Sequence, residues 1–340
     1  MEMLNSVSML LGADLWHIII NWMAKGIVNY GWTIIVFTIV LKLILIPIDV
    51  YQRNSSQKQT KFMAIMQPEL NELQKKYAND KEKLNQETSK LYKKHNVNMG
   101  GMCLSMLLPL IITLVVFFTL FSSLRNYGDQ KLYSSFKSLD NAYTVALDNR
   151  EIDTLSDLEK EEIRVEIREE YENLKKQNSW LWIKNVWKAD SKTSQFVEYD
   201  AYVNYYGQGS MDVNKYNFIV SSIEGEKQAQ NGYYILVILA VLISFATQLV
   251  SSKLMTPKGQ KLNTMNKVMM CVIPLSMLLF VFTSNAVFAL YIIVNSLMSA
   301  IISTIITLII NHKNKGKTDE EIVMKNKHVE VVEYSRNYKK

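Results

Sequence analysis

The sequence predicts an all-α polytopic membrane protein with five transmembrane helices, a cytoplasmic helical hairpin and an N-terminal interfacial amphipathic helix. Three observations carry this. Hydrophobic residues make up 49% of the chain and charged residues 21%, but the two are sharply segregated. Residues 268–311 hold no charge for 44 positions. As one helix they would be about 66 Å long, twice a bilayer core, so they must fold back on themselves. The segments between apolar runs also alternate in net charge.

Residues 1–31 form the expected extracytoplasmic, interfacial region. Within it, Leu15 to Val28 reads as amphipathic, with Asp14, His17, Asn21, Lys25 and Asn29 on one stripe at helical spacing. MEMLNSVSML lacks the basic start of a secretory signal peptide, and no early cysteine offers a lipid anchor. Residues 32–50, WTIIVFTIVLKLILIPIDV, are the first span, with Lys42 near its middle. A lysine at the bilayer centre costs on the order of 3 kcal/mol, so a use or a hydrated cavity is expected for it. Asp49 is about two turns away, too far for a close pair unless the helix bends.

Residues 51–103 are polar, with ten Lys/Arg and five Asp/Glu over 51–102. A helix from Gln52 to Tyr77, with a break or new start at Pro68, a turn at Ala78-Asn79-Asp80 and a helix from Lys81 to Lys94 make the hairpin. Residues 104–124 are the second span. The extracytoplasmic region 125–232 follows, and over 126–232 it carries thirteen Lys/Arg against nineteen Asp/Glu. There Ser156 and Glu159 form a capping-box pattern that starts a charged helix with Ile163, Ile167, Tyr171 and Leu174 as its apolar stripe. WLWIKNVW at 180–187 suits a membrane–water boundary, and residues 195–220 suit a short β-hairpin around Gly207-Gln208-Gly209. Residues 233–250 are the third span, 251–267 a basic cytoplasmic loop, 268–282 the fourth span, 286–311 the fifth, and 312–340 a basic cytoplasmic tail. The turn between the last two spans falls at Thr283-Ser284-Asn285.

Basic loops face the cytoplasm. The hairpin, the 251–267 loop and the tail are basic and the 125–232 region is acidic, so the N-terminus is expected outside and the C-terminus in the cytoplasm. Cys103 and Cys271 make no disulfide framework or redox motif, and four scattered histidines make no metal cluster. No nucleophile–base set and no nucleotide-binding loop is present. A non-enzyme without metal or cofactor is expected.

Polar groups inside the spans are the candidate site. Tyr291, Asn295, Ser299, Ser303 and Thr307 recur every four residues along the fifth span. Ser244, Thr247 and Gln248 sit in the third span, and Thr38 lies one turn before Lys42 in the first. Ordinary helix–helix hydrogen bonding accounts for isolated Ser and Thr. A stripe of them beside an intramembrane lysine favours a hydrated cavity. A small-molecule or ion transporter using Lys42 as its binding charge is the alternative reading, but no inverted repeat supports it.

The chain resembles the YidC/Oxa/Alb family of membrane protein insertases, in its bacterial YidC branch. The resemblance rests on NYGWTIIVFTIVLKLILIPI followed by MQPELNELQKKYANDKEKLNQETSKLYKKHNVN. It continues through MGGMCLSMLLPLIITLVVFF, LWIKNVWKAD and VMMCVIPLSMLLFVFTSNAVFALYIIVNSL. It implies five transmembrane helices around a hydrophilic groove in the bacterial cytoplasmic membrane. The family often has an arginine where this chain has Lys42, so the charge is kept and the bidentate fork is lost. Thr38, Lys42, Ser244, Gln248, Tyr291, Asn295 and Ser299 are then groove residues. Met63, Met66, Met99 and Met102 belong to a hairpin that receives clients. The implied partners are nascent membrane-protein clients and membrane lipid, with the Sec translocon and the ribosome as further candidates and no DNA. The 126–180 and 191–232 stretches look like insertions relative to the family.

Overall fold

The computed structural model describes residues 13–94, 99–223, 230–256, 268, 272, 275 and 278–317. The described residues are mostly helical, and they contain two isolated β-bridges but no strand. The helices are α1 (Ala13–Ile27), α2 (Tyr30–Ile44), α3 (Ile46–Lys76), α4 (Lys81–Lys94), α5 (Met99–Leu147), α6 (Asp157–Asn178), α7 (Tyr199–Tyr206), α8 (Val213–Ile223), α9 (Ile235–Met255) and α10 (Ala286–Lys313). By length and composition α9, α10 and the part of α5 from Ile111 can each cross a membrane, and the bent pair α2–α3 makes a fourth candidate. The expected fourth span, 268–282, lies largely outside the described residues.

The chain divides into two compact units. The first is Met1–Leu41, Val115–Phe245 and Val272–Leu297; the second is Lys42–Leu114, Ala246–Cys271 and Met298–Lys340.

In the first unit α1 is docked on α5 through its polar side chains. Trp16 Nε1 donates to Thr119 Oγ1 at 3.3 Å, His17 Nε2 lies 2.8 Å from the Ser123 carbonyl oxygen, and Tyr127 donates to Asn21. Leu15, Ile18 and Trp22 remain exposed. Part of the expected polar stripe therefore helps hold the helix to the protein, beside buried Ile20, while part of its apolar surface is turned outward.

The helix that contains the expected second span does not end at Leu124. α5 runs on for 49 residues, about 74 Å, without interruption. Its distal half carries Leu132, Phe136, Leu139 and Tyr143 at helical spacing, all buried. Phe136 meets the rings of Phe196, Tyr202 and Tyr216, and Tyr143 meets Phe218. Buried Asp140 pairs with Lys137 at 2.8 Å and also with Lys215. The long acidic region is thus a helical layer built on the extension of α5.

Its helix α6 begins with the expected capping box: Ser156 and Glu159 each bond the other's backbone N–H. Ile163 and Ile167 are fully buried. The β-hairpin expected at 195–220 is not formed, and helices α7 and α8 occupy that stretch. Strand preference of Tyr and Val depends on context. Here Tyr202 and Val203 bury one face of a helix. The expected glycine turn survives as a helix stop, with Gly207 at φ 103° as the residue after α7.

In the second unit α3 and α4 form the hairpin. Phe62, Met66, Leu70 and Leu91 make its core, with Met63, Leu73 and Tyr92 packed against them. Asp80 caps α4, accepting the Lys83 N–H at 2.9 Å. α3 passes through Pro68 without a break. Met66 and Leu70, on either side of the proline, are both held in the seam, which offsets the lost backbone bond.

Candidate functional site

The chain between α2 and α3 decides the chemistry of the first span. The helix is interrupted at Leu45, Pro47 sits in the first turn of α3, and the two axes differ by 56°. A proline is tolerated there because its missing N–H has no intrahelical partner anyway. The bend supplies the condition under which Lys42 and Asp49 can pair. Lys42 Nζ lies 3.0 Å from Asp49 Oδ2 and 3.3 Å from Oδ1. Their side chains are 12% and 23% exposed, so the lysine is mostly withdrawn from solvent and already has a counter-ion.

A second cation was not anticipated as a site residue. Arg53, one turn beyond Asp49 on α3, is only 6% exposed. Its Nε donates to Thr307 Oγ1 on α10 at 2.9 Å, and its Nη1 donates to Ser251 Oγ on α9 at 2.8 Å. Nη2 is buried with no partner among the described residues. The sequence signal was available: Arg53 follows the last apolar residues of the first span.

The expected groove residues divide between the units. In the second unit Lys42 has the pair just described, Gln248 is half-buried on α9, and Ser299 is half-buried on α10. In the first unit Thr38 is buried and donates to the Ile34 carbonyl at 2.6 Å. Ser244 and Ser296 join α9 to α10 at 3.2 Å, Tyr291 is buried, and Asn295 is half-buried. Further along the stripe, Ser303 and Thr304 both donate to the Ala300 carbonyl, and Thr307 donates to that of Ser303. Those hydroxyls are satisfied within their own helix. Of the hairpin methionines, Met66 is fully buried in the seam and Met63 is partly buried. The side chains of Met99 and Met102 lie outside the described residues.

A third arrangement in the first unit fixes where α9 and α10 begin. Buried Asp190 accepts the N–H groups of Tyr233 at 2.7 Å, Tyr234 at 3.1 Å and Leu236 at 2.5 Å. This satisfies one orphan donor of the first turn, the Leu236 N–H, together with two N–H groups just before the helix, and places negative charge at its positive end. Fully buried Asn231 bonds the backbone of Asn185 and Ala189. The Ala286 N–H meets the Lys188 carbonyl at 2.8 Å, and that of Val287 meets the Val186 carbonyl at 3.0 Å. The stretch 185–190 therefore clamps the starts of both helices. Sequence reading saw its aromatic character but not this role.

Long apolar helices, a bent candidate span with a half-buried ion pair, and a buried arginine define a polytopic α-helical membrane protein. The sequence profile of the 60Kd inner membrane protein family matches residues 22–315. The chain belongs to that family.

Three bacterial relatives, each named membrane protein insertase YidC, are similar over shorter stretches. That of Fusobacterium nucleatum subsp. nucleatum is 40% identical over 108 residues, which is 32% of this chain and 49% of the relative. That of Caldanaerobacter subterraneus subsp. tengcongensis is 46% identical over 99 residues, 29% of this chain and 44% of the relative. That of Clostridium tetani is 42% identical over 92 residues, 26% and 40%. The matched stretch spans less than half of each relative's length.

Proposed function

We propose that this chain is a membrane protein insertase of the bacterial cytoplasmic membrane. It moves short polar segments of client proteins across and releases their apolar helices into lipid, alone or beside the Sec translocon. The reading takes five spans around a hydrophilic groove, with the N-terminus outside and the C-terminus in the cytoplasm. Family membership and the names of the relatives support it.

The observation that carries the reading is the half-buried Lys42–Asp49 pair inside an otherwise apolar segment. A charged client residue costs several kcal/mol in hydrocarbon. A polar, hydrated path part of the way across removes much of that barrier, and no covalent chemistry is needed. Thr38, Ser244, Gln248, Tyr291, Asn295 and Ser299 supply polar groups along the path. The hairpin, with Met63 partly exposed and Met99 and Met102 near its end, receives clients. Basic loop and tail residues favour anionic lipid and the ribosome as neighbours.

The test is reconstitution of the purified chain alone into liposomes, with a single-span client synthesised against them. Protease-protected client above the level in empty liposomes is expected. Equal protection with and without the protein, both partners being folded, would overturn independent insertion.

A further inference from the structure

We propose that the cleft between the distal half of α5 and helix α6 docks a basic amphipathic helix of another protein. The site stands whether or not the chain inserts clients.

The cleft lies wholly within the first unit and has a volume of about 860 Å3. Ala142, Val145 and Ala146 of α5 line one side, and Glu162, Glu166 and Glu170 of α6 line the other. The alanines are small, so a third helix can come close to the α5 backbone. Val145 is 79% exposed, more than any other large apolar side chain among the described residues. Val165, also exposed, lines the cleft from α6.

The charges of α6 are sorted by side. Lys160, Arg164 and Arg168 recur every four residues. Glu162, Glu166 and Glu170 do the same two residues out of phase, which puts them about 200° around the helix. The basic side is used within the protein. Arg164 donates to Ser221 and Ser222 of α8 at 3.3 and 3.4 Å, its guanidinium lies over the Phe218 ring, and Arg168 pairs with Glu161. Glu161 and Glu172 are likewise paired on their own helix, with Arg164 and Lys175. Glu162, Glu166 and Glu170 have no ion pair among the described residues.

This pattern selects the occupant. Three carboxylates in a row about 12 Å long repel anionic headgroups and nucleic acid and attract lysine or arginine. Carboxylates one helical turn apart match basic residues repeated at the same spacing on a helix lying alongside. Val145 and Val165 add apolar contact that a small cation such as a polyamine cannot use. The excess of nineteen acids over thirteen bases across 126–232 adds long-range attraction for a basic partner. With the topology proposed above, that partner meets the chain outside the cytoplasm.

The test uses the full chain in phosphatidylcholine nanodiscs, whose neutral lipid does not retain a basic probe. The probe is a fluorescent synthetic helix with lysine at every fourth position beside a face of leucine and alanine. A second probe has the same composition in scrambled order. Fluorescence anisotropy should show the patterned helix binding about tenfold more tightly than the scrambled one, and added salt should weaken it. Replacing Glu162, Glu166 and Glu170 together by Gln should weaken binding about tenfold, a factor of a few for each exposed pair. Val145→Lys, at an exposed position on the other wall, should weaken it by a similar factor and decides the matter alone if the triple variant does not fold. No binding of the patterned helix to the unsubstituted protein would overturn the proposal. So would equal affinity for the scrambled probe, or unchanged affinity in either folded variant.

Discussion

Lys42 and Asp49 are seven residues apart in sequence and 3.0 Å apart in the structure, because the helix between them breaks at Leu45. In a straight helix seven residues rise about 10 Å. The break joins a cation that membrane burial disfavours to a carboxylate that membrane burial disfavours equally.

Removing one partner should therefore hurt more than removing both. Asp49→Asn is expected to lose about 1.5–3 kcal/mol of stability, the range for a hydrogen bond to a charged group. The double variant Lys42→Met with Asp49→Leu should recover most of it. Thermal unfolding of the four proteins in detergent, read as a double-mutant cycle, measures the coupling. Additive single effects would mean the pair contributes nothing.

Asp190 is expected to be as sensitive as any buried residue. Asp190→Ala strips partners from three N–H groups at the start of α9, and losing a helix cap alone costs about 0.5–2 kcal/mol. Gly232→Ala should be destabilising too, since a Cβ there runs into the Asp190 carboxylate. Expression level and unfolding temperature check both. Unchanged values for Gly232→Ala would show that the carboxylate can move aside.

The hairpin methionines should separate by burial. Met66→Ala removes a fully buried side chain and should cost about 2–5 kcal/mol of hairpin stability. Met63→Ala, at the edge of the same cluster, should cost less. Limited proteolysis at the 77–80 turn reads the difference, with Met66→Ala cut faster.

The start of α6 should weaken in acid. The Ser156 hydroxyl and backbone hold the Glu159 carboxyl below the ordinary glutamate range. Its contribution is complete above the unfolded-state pKa and is lost as pH falls through the lowered folded value. Amide exchange of the first turn of α6 should rise over that window, and Glu159→Gln should flatten the response.

Several features were legible in the sequence because they depend on neighbours along the chain. Apolar length marked α9, α10 and the apolar part of α5, the Asp80 turn and α4 followed from local pattern, and Ser156 with Glu159 specified a helix start. The 195–220 stretch departs from its local pattern for the complementary reason. Tyr and Val suit strands or helices, and burial of Tyr202 and Val203 made the choice. The full length of α5 was hidden as well, since a charged run after Leu124 resembles a loop until Phe136 and Tyr143 find partners far away in sequence.

By itself the sequence determined an all-helical membrane protein with a charged hairpin and polar residues in its apolar runs, because hydrophobicity and helical period are properties of consecutive residues. Only the tertiary structure decided which charges are compensated. The bend at Leu45 gave Lys42 to Asp49, and helix packing brought Ser251 and Thr307, 198 and 254 residues along the chain, to Arg53. Electrostatic energy depends on distance in space and on exclusion of water, and neither can be read along one dimension.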